Sequence, residues 1–261
     1  MSFYDWFTKE WKDLTLLPKE VFLYGPRHVF ALMMIVMALC ILVLVFYDRK
    51  KEQQDKVFNW ICYLLIFEEI LVRVARMTRI IVEGTWTFQN VYAALVPSFL
   101  CSIVVWLLII DHFTKWKPLS NASAITGLIA TGGFYLWASV GFNTVELSMI
   151  QLYSITTHAM ALIYFLLQVI FKRVEFPLKK IYEPWILFAA VTLYSLFLNL
   201  FVFPGANYLY FMYDNMTWWA IPAPYWQVFL FVFLFSLNSI FYVPGIIKTW
   251  AAKRKEKTKT A

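Results

Sequence analysis

Seven long apolar stretches, separated by short polar segments, constrain this chain more than any other feature of its sequence. Hydrocarbon offers the backbone no hydrogen-bond partners, so a chain crosses it as helices of roughly 20 mostly apolar residues. The stretches are residues 28–47, 57–77, 91–111, 122–142, 150–171, 185–204 and 225–247. Charged residues make up 15% of the chain, against about 25% of an average soluble domain. The sequence therefore predicts an all-α, polytopic membrane protein with seven transmembrane helices.

The net charge of +7 is distributed unevenly along the chain. Basic residues concentrate in the first, third and fifth loops and in the C-terminal tail. They are Arg49, Lys50, Lys51, Lys56, Lys115, Lys117, Lys172, Arg173, Lys179, Lys180, Lys248, Lys253, Arg254, Lys255, Lys257 and Lys259. The fourth loop (143–149) and the sixth loop (205–224) contain no lysine or arginine. Because basic loops stay in the cytoplasm, the odd-numbered loops and the C-terminus are predicted to be cytoplasmic. The N-terminus is then outside, in a multi-pass protein of the cell membrane.

Two terminal segments flank the predicted transmembrane domain 28–247. Five apolar residues in segment 1–27 recur at helical spacing. They are Phe3, Trp6, Phe7, Trp11 and Leu14. This pattern predicts an amphipathic helix in the membrane interface, and a plain solvated extension is the alternative. The basic tail 248–261 is expected to meet anionic lipid headgroups rather than a nucleic acid. Membrane lipids are therefore the expected partners, and either terminal segment is where a protein partner would bind.

The cysteine and glycine residues give a structural interpretation and no metal site. Cys40, Cys62 and Cys101 all lie inside predicted spans, so no disulfide framework is expected. The chain has no Cys-x-x-Cys, no His-x-x-x-His and no glycine-rich phosphate loop, so neither a metal nor a cofactor is predicted. Three glycines of the fourth span are predicted to be points of close helix packing. They are Gly127, Gly132 and Gly133.

Ionisable side chains cluster in the second predicted span, which holds Glu68, Glu69, Arg73 and Arg76. A charge at the bilayer centre costs at least ~2.5 kcal/mol and is a functional hypothesis by default. Glu69, Arg73 and Arg76 share one helix face. Two interpretations remain open. The residues form an internal ion pair, with Arg76 reaching the outer headgroups, or the arginines bind the phosphate or carboxylate of a lipid substrate.

A thiol and an imidazole are predicted at similar depths in two parallel spans. If the third span enters from outside near Val91, Cys101 lies about 15 Å deep, and by the same count from Ile150 His158 lies about 12 Å deep. A thiol beside a base is the minimum for covalent acyl chemistry, because the thiolate attacks and His accepts its proton. We expect the two side chains within direct or one-water hydrogen-bond reach. The alternative is that each packs separately.

Three short motifs resemble the YwaF-like integral membrane proteins, a family that includes an animal transmembrane phospholipid acyltransferase. Residues 97–101 (Pro-Ser-Phe-Leu-Cys) resemble the family's Pro-x-His-Leu-Cys, and 156–159 (Thr-Thr-His-Ala) resemble its Ser-His-Gly. Residues 207–210 (Asn-Tyr-Leu-Tyr) are similar to its Asn-Tyr-Leu-Phe loop. Phe99 stands where the family has His, and Ala159 where it has Gly.

The resemblance implies roles for four residues. Cys101 would be the acyl-accepting nucleophile and His158 its base, while Asn207 and Tyr208 would shape the outer mouth of the site. The leading hypothesis is thus a phospholipid acyltransferase that works through a Cys101 thioester and needs no cofactor.

Three further residues of the second span are expected to bind substrate under this hypothesis. Glu69, Arg73 or a backbone group would orient the lipid headgroup, and Arg76 belongs to the arginine face that would bind it. The alternatives are a transporter or channel lined by Glu69, Arg73 and His158, and a non-catalytic membrane accessory subunit.

Overall fold

The fold is all-helical throughout the described residues, which contain no β-strand. The computed structural model describes residues 2–9, 15, 25–136, 142, 145, 147–204, 206, 208, 225–247 and 250. The helices are α1 (Phe3–Thr8), α2 (Pro26–Phe46), α3 (Lys51–Glu83), α4 (Phe88–Leu95), α5 (Leu100–Thr114), α6 (Lys117–Leu136), α7 (Met149–Ile170), α8 (Tyr182–Phe197) and α9 (Tyr225–Ile240). A 3-10 turn (Leu178–Lys180) precedes α8, and a π-helical turn (Leu198–Val202) continues it. Each of the seven predicted stretches thus overlaps a helix in the described residues.

Three helical runs in the described residues are long and apolar enough to cross a membrane. They are Pro26–Phe46, Met149–Ile170 and Leu178–Val202. The pair α4 and α5 meets the same criterion together, although its axis bends by 52°. The structure therefore has three to four candidate spans by length and composition.

Helix α6 is the centre of the bundle and packs against α5, α7, α8 and α9. Its small side chains let neighbouring backbones approach closely, as in membrane helix packing generally. The Phe165 ring of α7 lies directly on Gly127, where a Cβ atom would stand. Leu162 Cδ1 is 4.0 Å from the Cβ position of Gly132, and no described residue lies within 4 Å of that of Gly133. The predicted close packing is confirmed at Gly127 and is wrong at Gly133.

Polar side chains of α6 connect it to three neighbouring helices. Ser120 donates a hydrogen bond to Asp111 Oδ1 of α5 (2.6 Å). Asn121 Nδ2 donates to Glu183 Oε2 of α8 (3.1 Å). Thr126 also donates to Asn238 Oδ1 of α9, at 3.4 Å. Such bonds are favoured in a bundle interior because these polar groups have no water to bind there.

The third predicted span is broken, which corrects the expectation of one continuous helix over 91–111. Helix α4 ends at Leu95, and α5 begins at Leu100. Pro97 lies between them; it lacks an N–H and disfavours helical geometry at the preceding residue. Val96 is accordingly extended, with φ −110° and ψ 136°. The depth of Cys101 therefore cannot be counted along one straight helix from Val91.

The N-terminal segment packs on the bundle. Trp6 and Phe7 of α1 contact a small core formed by α3 and α7 that includes Val72 and Met149. Trp6 Nε1 also donates to the Leu147 carbonyl (2.9 Å). The first three apolar residues of the predicted amphipathic pattern, Phe3, Trp6 and Phe7, thus lie in a helix that packs partly against protein. The remaining members of the pattern, residues 11 and 14, lie outside the described residues, as does the basic tail from 251 onward.

Candidate functional site

Glu69 is a buried charged residue of the bundle interior, with 5% exposure, and three side chains bind it. Its carboxylate accepts from Arg73 Nη1 (2.6 Å), Trp106 Nε1 (2.6 Å) and the Tyr153 hydroxyl (2.5 Å). The Arg73 guanidinium also lies over the Trp106 ring, 4.8 Å from its centroid, a favourable cation–π contact. The predicted ion pair between Glu69 and Arg73 is therefore confirmed. It joins α3 to α5 and α7.

Glu68, the adjacent residue, has a different environment. Its two oxygens lie 2.5 Å from the hydroxyls of Thr156 and Thr157 on α7. Within the described part of the chain, no Lys or Arg forms an ion pair with it. We call Glu68, Glu69 and the side chains that bind them the glutamate cluster. The sequence did not predict the four side chains that bind the two glutamates besides Arg73, namely Trp106, Tyr153, Thr156 and Thr157. Three of these residues, Tyr153, Thr156 and Thr157, have the spacing that places them on one side of α7.

Arg73 and Arg76 hold the C-terminal end of α4 at the break. Arg73 Nε donates to the Leu95 carbonyl (3.2 Å), and Arg76 Nη1 donates to the Ala93 carbonyl (3.3 Å). The last carbonyls of a helix lack intrahelical partners and carry partial negative charge, so cations stabilise them. Of the two interpretations of this arginine face, these contacts favour internal pairing over headgroup binding.

Cys101 is the second residue of α5 and lies directly after the break. Its Sγ donates a long hydrogen bond to the Ala130 carbonyl of α6 (3.7 Å). The thiol is thus half-buried between α5 and α6. The other two cysteines, Cys40 and Cys62, are also free thiols.

His158 lies near the middle of α7, and its ring stacks on Phe134 of α6 with centroids 3.8 Å apart. Its Nδ1 is 2.5 Å from the Ser154 carbonyl. A carbonyl can only accept, so Nδ1 carries the hydrogen and Nε2 presents the lone pair of the neutral ring. That tautomer is the one in which Nε2 can act as a base.

Helix α6 brings Cys101 and His158 into one neighbourhood without pairing them. Their contact residues, Ala130 and Phe134, are one turn apart on α6, and α5 also packs against α7. In the described part of the chain, however, no hydrogen bond joins the thiol to the imidazole. The predicted direct or one-water contact therefore stays a prediction.

Tyr208 packs beside the break, close to where the sequence predicted the mouth of the site. Its ring meets Phe99 edge-on, with centroids 5.0 Å apart. The Asn199 side chain holds the Tyr208 backbone by two bonds, accepting from its N–H (2.8 Å) and donating to its carbonyl (3.1 Å). Tyr194 donates to the Pro97 carbonyl at 2.8 Å. Asn207, the other residue predicted here, lies outside the described residues.

The available chemistry is that of a thiol, a neutral imidazole and carboxyl groups. Among the described residues, no group of three His, Cys, Asp or Glu side chains is placed to hold a metal ion. Two surface grooves lie away from Cys101 and His158. One, of about 490 Å³, is formed mainly by α9 with Trp185 of α8, and the other, of about 400 Å³, lies at the turn from α2 to α3.

Comparison with known proteins adds no relative. No family model, no curated protein and no solved structure matches this chain. The resemblance to the YwaF-like family therefore stays a prediction, carried by the three short motifs alone.

Proposed function

We propose that this chain is a seven-span membrane protein that transfers acyl chains between phospholipids through Cys101 and His158. The protein would lie in the cell membrane, with its N-terminus outside the cell and its C-terminus in the cytoplasm. The lipid substrate would reach the thiol beside the break between α4 and α5. Irregular backbone at membrane depth is tolerated where protein or a cavity satisfies it.

Contacts at the two ends of the bundle support the seven-span topology. At one end, Arg173 of the fifth loop pairs with Asp55 (2.7 Å), and Lys117 donates to the Arg173 carbonyl (3.2 Å). The first, third and fifth loops thus meet. At the other end, Trp6 and Arg27 donate to carbonyls of residues 145–147 in the fourth loop. If successive helices cross the membrane in opposite directions, consecutive loops lie at opposite ends of the bundle, as these contacts have them.

The observation that carries the proposed chemistry is the position and tautomer of His158. Its Nε2 is left as the acceptor, and its ring lies one turn along α6 from the contact of the Cys101 thiol. The proposed reaction requires the thiol to leave the Ala130 carbonyl and turn toward Nε2. The lone cysteine on its own would be ordinary packing.

The proposed reaction has two balanced halves. Nε2 of His158 takes the thiol proton while Sγ of Cys101 attacks the ester carbonyl of the donor phospholipid. The donor's oxygen leaves with that proton as the hydroxyl of a lysophospholipid, and a thioester remains. An acceptor hydroxyl then gives its proton to Nε2 and attacks the thioester, and the proton returns to Cys101.

Thioester trapping tests this proposal. The full chain in liposomes receives a phospholipid with an alkyne-tagged acyl chain and a lysophospholipid acceptor. We expect hydroxylamine-sensitive label on Cys101 and tagged product, both lost in Cys101→Ala. Loss of a general base lowers rates by about 10²–10⁴-fold, so His158→Gln should leave little of either. Cys40→Ala and Cys62→Ala are the matched controls and should keep both signals. Equal behaviour of all three cysteine variants would contradict the proposal.

A non-catalytic accessory subunit is the second candidate, and one observation favours it. The thiol of Cys101 already has a partner in Ala130, and Glu69, Arg73 and Arg76 bind protein atoms. The arrangement therefore holds helices together without any substrate. Wild-type protein that forms no thioester and transfers no acyl chain under these conditions would favour this candidate.

A further inference from the structure

The turn between α2 and α3 forms a cationic groove that the proposed acyl chemistry does not use. Val45, Phe46, Arg49, Gln53 and Lys56 line this groove, whose volume is about 400 Å³. Three of the lining residues are polar or charged and two are apolar. That division matches a molecule with a charged head and a hydrocarbon chain.

The two cations of the groove have no carboxylate partner in the described part of the chain. Arg49 uses only its Nε, which donates to the Val45 carbonyl (3.3 Å). Asp55, the acidic neighbour of Lys56, is bound to Arg173 Nη1 at 2.7 Å. Arg49 and Lys56 are both exposed. An unpaired arginine and lysine on one groove attract a phosphate, for which arginine offers several donors and lysine a point charge.

The groove is held in shape by the turn itself. Gln54 is buried and donates to the carbonyls of Phe46 (3.0 Å), the last residue of α2, and of Tyr47 (3.1 Å), the C-cap of that helix. A binding surface that is already ordered loses less entropy when a ligand binds.

Exposed apolar side chains lie next to the groove along α2 and α3. Leu44 is 84% exposed and Trp60, one turn along α3 from Lys56, is 69% exposed. Tryptophan is typical of the level where headgroups meet acyl chains. If α2 crosses the bilayer, Arg49 and Lys56 near its C-terminal end lie at headgroup height, next to the apolar surface of the helix.

We propose that this groove binds an anionic phospholipid, with its phosphate on Arg49 and Lys56 and an acyl chain along the exposed face of α2. The lipid comes from the leaflet that this end of the bundle meets. Charge complementarity favours an anionic lipid over a zwitterionic one, whose own cation would lie beside Lys56.

Lipid-dependent thermal stability of the purified full chain in detergent tests the site. We expect phosphatidylglycerol to raise the melting temperature more than phosphatidylcholine does. In Arg49→Gln/Lys56→Gln, half-saturation should need about 30-fold more phosphatidylglycerol, because two interfacial cations are lost. Lys172→Gln/Lys179→Gln removes the same charge from the fifth loop at the same end and should behave as wild type.

Three outcomes would overturn the proposal. One is an equal loss in both double variants, which indicates diffuse charge attraction. Another is the same stabilisation by inorganic phosphate alone, which indicates a soluble anion. The third is no difference between the two lipids in wild type.

Lys56→Gln alone leaves the bond of Arg49 to the Val45 carbonyl intact and should weaken phosphatidylglycerol binding by an intermediate amount. Bound phosphatidylglycerol counted by native mass spectrometry checks the result independently of unfolding.

Discussion

Glu68 and Glu69 show how strongly the tertiary environment separates two adjacent, identical side chains. Glu69 is buried and forms an ion pair with Arg73, and Trp106 and Tyr153 also donate hydrogen bonds to its carboxylate. Glu68 is less buried, and within the described part of the chain its side chain accepts only from hydroxyls, those of Thr156 and Thr157. Replacing each with glutamine keeps the shape and removes the charge, so the two positions serve as matched controls.

We expect Glu69→Gln to lower the free energy of unfolding by roughly 3–5 kcal/mol, because Arg73 is left as a partly buried cation without its carboxylate partner. Glu68→Gln should cost far less, since the amide can accept from Thr157 and donate to Thr156. The hydroxyl of Thr156 can then donate to the Leu152 carbonyl, 2.7 Å away. Denaturant unfolding in mixed micelles measures both. Equal losses would mean that the ion pair does not distinguish the two positions.

At the scale of elements, the interface between α6 and α7 and the break before α5 define the candidate site. Phe165 lies on Gly127, so α7 is fixed at a height on α6 that places His158 against Phe134. The break places Cys101 at the start of α5, against Ala130. Both positions depend on close contact with α6.

Gly127→Ala should destabilise the bundle by about 1–3 kcal/mol, the usual cost of overpacking, because the new methyl group collides with the Phe165 ring. The matched control is Gly133→Ala on the same helix. It has open space for the methyl group and should be neutral or stabilising by up to about 1 kcal/mol, since alanine is the better helix former. Thermal unfolding of both variants in one detergent compares them. A destabilised Gly133→Ala with a neutral Gly127→Ala would contradict this packing.

At the scale of the whole molecule, α3 sets the distance between the two ends. Its 33 residues correspond to about 50 Å of helix, against a hydrocarbon core of about 30 Å. Both of its ends therefore extend past the hydrocarbon if it crosses. Thr85 follows its C-terminal end, and the loop that contains Lys179 meets its N-terminal end through Arg173.

Thiol labelling of intact cells tests the topology. In a background with Cys40, Cys62 and Cys101 replaced by alanine, a membrane-impermeant reagent should label Thr85→Cys and not Lys179→Cys. Both positions are exposed, so access to the reagent depends on the side of the membrane. Permeabilised cells provide the control, in which both label. The reverse pattern would invert the orientation and move Cys101 toward the other leaflet.

Much of the fold was predictable because hydropathy and charge are local properties. Each apolar stretch overlaps a helix in the described residues, and the Glu69–Arg73 pair follows from a four-residue spacing within one helix. The break in the third span also had a local signal in Pro97, which the hydropathy of 91–111 outweighed. The start of α6 at Lys117 rather than near residue 122 shows the ordinary imprecision of helix ends.

The helical class, the approximate positions of the helices and the residues able to do chemistry can be read from the sequence, since each depends on neighbours along the chain. The use of those residues depends on contacts between helices. Trp106 and Tyr153 donate hydrogen bonds to Glu69 from two other helices. The Cys101 thiol and the His158 ring each contact a residue of α6. These partners are distant in sequence, and their choice depends on which helix faces pack together, which no local pattern encodes.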